Sequence, residues 1–235
     1  IINSMTTSFL SLTLFVLFPF PIFCSAQELL PYKNKKLPIE TRVQDLLQRM
    51  TPEEKFMQLF MVPGDLDNNP DKYKNGIFGL QVNTISSNNN AAGQMMEYNP
   101  GRNATETAEK INSIQKYFVE KTRLGIPVIA FDEALHGLVR KGATAFPQSI
   151  ALAATWDTLL MNKVANAIAT ECSKRGLRQI LSPVINLATD VRWGRVEETY
   201  GEDPFLSSAM GIAFIKAFEQ LGIVTTPKHF AVNHG

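Results

Sequence analysis

Cysteine is almost absent from this chain. Only Cys24 and Cys172 occur, and Cys24 falls in a stretch that reads as a removable leader. Cys172 then stands alone, so no intramolecular disulfide can staple the mature chain. Histidine is scarce too, at His136, His229 and His234. These show no His-x-His and no His-Glu-x-x-His spacing, so neither a metal nor another cofactor is expected. A one-signed charge is missing as well. The formal net charge is +1, with Lys and Arg interspersed among Asp and Glu. That excludes a basic nucleic-acid footprint and a polybasic membrane patch. No glycine-rich phosphate loop follows the first expected strand, which weighs against nucleotide binding.

Charge is also missing from the first 26 residues. Within them Phe9 to Phe23 reads FLSLTLFVLFPFPIF. That run is shorter than the ~20 apolar residues that span a bilayer, and prolines interrupt its end. Cys24-Ser25-Ala26 follows, with small residues where signal peptidase reads. The pattern predicts a signal peptide over residues 5–26, starting at Met5 and cleaved after Ala26. An N-terminal anchor and a buried strand are the alternatives. A secreted or periplasmic protein without stable membrane insertion is expected, its mature part being residues 27–235.

That part alternates in character. Ile39 to Met50 has Val43, Leu46, Leu47 and Met50 on one helical face. Thr51-Pro52-Glu53-Glu54 restarts a helix with a capping residue, a proline at the first position and a glutamate that closes a capping box. Gly76 to Val82 reads as a strand. A polar stretch from Asn83 to Arg102 follows, of a length usually functional or mobile. Asn103-Ala104-Thr105-Glu106 repeats the capping logic before a helix through Ile111 and Phe118. Asn-Ala-Thr is a glycosylation sequon too, but capping already accounts for Asn103. Ile126 to Asp132 and Gln179 to Val184 are apolar runs. Asp157 to Gly176 and Pro204 to Gly222 are helical between and after them, and Ile223 to Pro227 leads into Lys228.

Strands that are apolar throughout, alternating with helices, predict a parallel sheet buried on both faces. A (β/α)8 barrel or a doubly wound sheet would fit. The polar residues favour the barrel. Asp132, the segment after Val184, and Lys228-His229 all fall at strand C-termini, the end that carries chemistry in a barrel. About four strands are counted, so the expected fold is the N-terminal part of a (β/α)8 TIM-type barrel.

Three clusters could carry chemistry. Asp132, in DEALHG, would point into a barrel mouth, where a carboxylate accepts hydrogen bonds from hydroxyls. It could equally cap the following turn. VRWGRVEETYGEDP, from Val191 to Pro204, is dense in charge. Its charges could brace the loop, yet a guanidinium fork also binds vicinal oxygens well. Lys228-His229 would supply several donors to one small ligand, or Lys228 could be a Schiff-base nucleophile.

The ordered set DEALHG, VRWGRVEETYGEDP and KHFAVN resembles glycoside hydrolase family 3, the β-glucosidase and β-xylosidase type. MTPEEKFMQL and FPQSIALAATWD match that family too, so the resemblance runs from about Leu37 to Gly235. It implies a barrel domain followed by an α/β sandwich domain, and hydrolysis of terminal non-reducing β-linked sugars with retention. The partner would be an oligosaccharide or an aryl or alkyl β-glycoside, with no nucleic acid. By motif, Asp132, Arg195, Lys228 and His229 resemble the residues that bind the sugar in the −1 subsite. The nucleophilic aspartate and the acid/base glutamate are expected beyond Gly235, which leaves this stretch a fragment expected to be inactive alone. Ala231-Val232-Asn233 departs from the pattern of the family's N-acetylglucosaminidases and argues against an aminosugar. Glucose, xylose and arabinose all stay open. A Schiff-base lyase using Lys228 and a non-catalytic sugar-binding barrel are the competing readings.

Overall fold

The computed structural model describes residues 29–64, 66, 69–82 and 101–230. The leader and most of the polar stretch after Val82 lie outside them. So do His234 and residues 231–235. Among the described residues no helix is long and apolar enough to cross a membrane. The chain divides into two compact units, residues 1–48 and 49–235.

The first unit holds most of helix α1 (Ile39–Arg49) and a 3-10 turn at Pro31–Lys33. Asp45 accepts the Tyr32 amide at 3.1 Å, and Arg42 Nε donates to the Tyr32 carbonyl at 3.1 Å. Those two bonds tie the turn to the helix.

The second unit is an α/β layer structure. Its strands are β1 (Met61–Pro63), β2 (Gly79–Gln81), β3 (Ile129–Asp132), β4 (Gln179–Ile180) and β5 (Val224–Thr225). All neighbours are parallel, in the order β1-β2-β3-β4-β5. A doubly wound sheet reverses its strand order at a switch point, whereas a barrel adds each strand beside the last. The unbroken order therefore decides for part of a barrel. It also adds one strand to the four expected. Met61–Pro63 is only three residues long and runs into the polar GDLDNNP, so it carries no period to detect.

The helices start where local chemistry directs. In α2 (Pro52–Met57) the Thr51 side chain accepts the Glu54 amide while Glu54 accepts the Thr51 amide. The same reciprocal box, Asn103 with Glu106, opens α3 (Ala104–Lys121). After the short α4 (Ser149–Ala153), Asp157 caps α5 (Thr158–Lys174) and Asp203 caps α6 (Pro204–Glu219). Each satisfies amides the helix itself leaves open. Glu54 also pairs with Arg123, which holds its carboxyl below the ordinary value despite burial.

The core lies between sheet and helices. Leu80, Ala130 and Ile180 on the strands meet Ile114 and Phe118 of α3, Ile168 and Cys172 of α5, and Met210, Phe214 and Ala217 of α6. Leu160 in the first turn of α5 and Leu221 just past the end of α6 are substantially exposed. Burial, then the nearby Asp132 and Glu171 carboxylates, push the Cys172 thiol up to about 12. It is a packing residue and not a nucleophile.

Two truncations should rank by mechanism. Phe214→Ala opens a cavity in the core and should cost about 3–5 kcal/mol. Asn103→Ala removes one cap and should cost about 0.5–2 kcal/mol, with Asn103→Asp close to wild type. Urea unfolding of the intact protein measures both, and a reversed order would contradict this packing.

Candidate functional site

The parallel sheet sends every strand C-terminus the same way, and the polar residues collect there. β3 ends at Asp132, with Glu133 next. β4 runs on through Leu181 to Val184, which bridges in parallel to Lys228 beyond β5. Lys228 donates its amide to Pro183 O at 3.0 Å, and Ile185 donates to Lys228 O at 2.9 Å. These bonds lock Lys228 and His229 beside the end of β4. The Lys228–His229 peptide bond is cis.

Asp132 is wholly buried, at 0% exposure. Its Oδ1 accepts from Gln81 Nε2 at 3.1 Å, from the Glu133 amide at 2.9 Å and from Arg140 Nη2 at 2.7 Å. Its Oδ2 accepts from Arg140 Nε at 3.0 Å. Arg140 thus grips it with two parallel bonds, the strong bidentate form of an ion pair. Arg140 and Gln81 carried no signal in the sequence reading, because a loop and a separate strand bring them in.

Glu133 behaves differently. Its side chain is 48% exposed, and both carboxylate oxygens accept from Lys228 Nζ, at 2.9 and 3.0 Å. Successive strand residues point to opposite sides, so one carboxylate of the Asp-Glu pair is buried and the other reaches the open side. Lost hydration pushes the Glu133 carboxyl above its ordinary value, and Lys228 pulls it part of the way back.

Arg195 sits at the start of a 3-10 turn, Val196–Glu198. Its Nε and Nη2 each reach Glu198 at 2.6 Å. The remaining Nη1 donates to His229 Nε2 at 3.1 Å. An arginine can only donate, so Nε2 accepts and the ring proton sits on Nδ1. That proton meets Asn186 Oδ1 at 3.0 Å, and Asn186 Oδ1 also takes the His229 amide at 2.9 Å. The ring is a neutral imidazole of fixed tautomer. Burial, then the Arg195 and Lys228 charges, hold it below its ordinary pKa. Arg192 takes the other course open to that charged loop. It pairs with Asp190, and its side chain is largely exposed.

The structure therefore brings together Lys228 with Glu133, and Arg195 with His229, while Asp132 lies beneath Glu133. Glu133, Glu198 and Asn186 join as partners the sequence reading did not single out. Glu133 and Glu198 stood inside the quoted motifs, and only their pairing was hidden. Among the described residues no group of three or more His, Cys, Asp or Glu could hold a metal ion. The paired groups Lys228–Glu133 and Arg195–His229 place donors and acceptors near the strand C-termini.

The family described as glycosyl hydrolase family 3 N terminal domain matches residues 51–235. A probable β-glucosidase C from Aspergillus oryzae is 37% identical over 220 residues, covering 85% of this chain and 33% of that protein. A β-xylosidase from Formosa agariphila is 40% identical over 136 residues, covering 52% of this chain and 19% of that protein. The solved structure of a β-glucosidase from Erythrobacter marinus superposes with a TM-score of 0.70 at 30% identity, covering 85% of this chain and 26% of that one. The chain thus spans about a third or less of the length of these relatives. That family match takes in well over half of the chain, and the chain belongs to glycosyl hydrolase family 3.

Proposed function

We propose that the protein hydrolyses terminal, non-reducing β-linked glucosyl or xylosyl residues with retention, and that this stretch supplies the clamp for the sugar bound at the cleavage point. The observation that carries the proposal is the meeting of Lys228–Glu133 and Arg195–His229 at one end of a parallel sheet. The relatives named as β-glucosidase and β-xylosidase support the substrate class. The first 26 residues support export.

The chemistry follows from the groups. As the glycosidic bond breaks, the ring flattens and gains positive character. Hydroxyl contacts that tighten in that state lower the barrier, while contacts equally strong in the bound substrate do not. Lys228 and Arg195 offer charged donors, and His229 offers a neutral ring. Glu133 offers acceptor oxygens, and we give it the hydroxyl-accepting role at the mouth. Asp132 belongs to the clamp as the residue beneath it. Retention also needs two carboxyl groups about 5–5.5 Å apart, one nucleophilic and one acid/base. Neither role falls to Asp132, whose oxygens are taken by Arg140, Gln81 and a backbone amide. A Schiff base at Lys228 finds no support, since its Nζ donates to both Glu133 oxygens as an ammonium would.

In the intact enzyme, Lys228→Ala and His229→Ala should each lower kcat/KM on 4-nitrophenyl β-glucoside or β-xyloside. One lost charge-assisted bond corresponds to roughly 1.5–3 kcal/mol, or about 10- to 150-fold. Near-normal kinetics in both folded variants would sink the clamp. Borohydride with a carbonyl substrate should trap no adduct at Lys228.

The His229 tautomer sets a pH dependence. Its folded pKa is depressed, so below the ordinary value of 6.5 the unfolded chain takes up a proton that the folded one refuses. Stability from this group is therefore present above 6.5 and is lost as the pH falls through the folded pKa. His229→Gln lacks that loss. Its Tm relative to wild type should rise between pH 7.5 and pH 5, as differential scanning calorimetry would read. A constant gap would show that His229 titrates normally.

A further inference from the structure

The structure assigns Arg140 a positioning role in that reaction: by gripping Asp132 it fixes the backbone of Glu133, and so the carboxylate that Lys228 holds. The assignment rests on the sugar-clamp reading above. Asp132 Oδ1 takes the Glu133 amide at 2.9 Å and Arg140 Nη2 at 2.7 Å. One oxygen therefore links the guanidinium to the peptide that carries Glu133. Gln81 Nε2, from the end of β2, reaches the same oxygen at 3.1 Å. Any tilt of the Asp132 carboxylate must move all of these together.

The loop between them is built to return Arg140 to this place. The His136 ring donates from Nδ1 to Phe146 O at 2.8 Å, and the Phe146 amide donates to His136 O at 2.7 Å. That reciprocal clasp closes the loop at its base. Gly137 has φ +131°, and a Cβ there would lie 2.4 Å from Thr144 O. Val139 has φ 51°, a conformation that β-branched residues very rarely adopt. It directly precedes Arg140. Backbone of this kind persists only where its surroundings over-determine it. Here they do: the clasp lies on one side, and the two bonds from Arg140 to Asp132 lie on the other. The Thr144 amide and hydroxyl both donate to Glu171, which anchors the far limb of the loop to α5.

Arg140 could instead serve only to neutralise a buried charge. The two roles separate in a double-mutant cycle. The intact enzyme would be assayed on 4-nitrophenyl β-glucoside as wild type, Glu133→Gln, Arg140→Gln and the double variant, with Tm recorded for each. Each single change should lower kcat/KM on the order of 10- to 100-fold. If Arg140 acts through Glu133, the double variant should be no more than about threefold worse than the poorer single. Arg140→Lys should not restore activity, because a point-like ammonium cannot reproduce the fork. Should Arg140→Gln fail to fold, Arg140→Lys takes its place in the same cycle. Losses that multiply, or an Arg140 variant with wild-type kinetics, would overturn the assignment and leave the clamp standing. Wild-type kinetics for Glu133→Gln would overturn the clamp, and the assignment with it.

Discussion

A carboxylate with no access to water sits at the centre of this structure. Asp132 ends the middle strand of the sheet and is wholly buried. An unpaired charge there would cost several kcal/mol, so its partners are obligatory. They include Gln81 on the neighbouring strand, Arg140 across a loop, and the next peptide in the chain. The demand made by one residue therefore fixes the register of a strand end, the path of a loop and the direction of Glu133. Breaking such a pair from one side leaves the other charge stranded. The geometry of the site and the stability of the unit are accordingly hard to change independently.

Above Asp132 the charges are paired in a different manner. Lys228 meets Glu133, whose side chain is half-exposed, and Arg195 meets Glu198 with one donor turned to His229. Partly solvated pairs contribute little to stability. They do hold long side chains in place, so less freedom is lost when a ligand arrives. The shifted groups point the same way. Glu133 is raised by lost hydration, and His229 is lowered by burial and by the Arg195 and Lys228 charges. Displaced groups of this kind gather at binding sites as well as in structural ion-pair networks, and they accord with the proposed clamp.

Much of this was legible in the residues because it is locally encoded. Capping boxes lie within four residues of sequence, and the structure contains both that the sequence predicts. The strand-helix alternation pointed to a parallel sheet, and the polar residues at strand C-termini favoured a barrel over a doubly wound sheet. What stayed hidden was non-local or too short. β1 is three residues long. Arg140 reaches Asp132 from a loop in which Gly137 and Val139 have positive φ, and nothing in the spelling of Val139 announces that. The Asp-Glu pair of DEALHG was ambiguous in another sense. Alternation along a strand sends the two carboxylates apart, but the sequence does not say which one goes inward. Asp132 was singled out, and the structure gives the open position to Glu133. The arginines after Asp190 had two readings, loop bracing and ligand binding. Arg192 takes the first, while Arg195 braces Glu198 and still turns a donor toward His229.

The same reasoning accounts for the mix of charged and neutral groups in the proposed clamp. A sugar offers hydroxyls that donate and accept, so it needs acceptors as well as donors facing it. Lysine and arginine can only donate. Glu133 supplies acceptors beside Lys228, and His229 has its one acceptor nitrogen already turned to Arg195. The His229 tautomer is set by Asn186, which takes both the ring proton and the backbone amide on a single oxygen. Asn186 follows β4 by a few residues, as Lys228 follows β5, and the bridge from Val184 to Lys228 keeps the two extensions side by side. The parallel pairing that builds the sheet thus resumes past the strand ends, four residues after Ile180 and three after Thr225, and there sets where Lys228 stands. The backbone hydrogen bonds that build the sheet also set where the polar side chains stand, and side-chain bonds among those groups complete the arrangement.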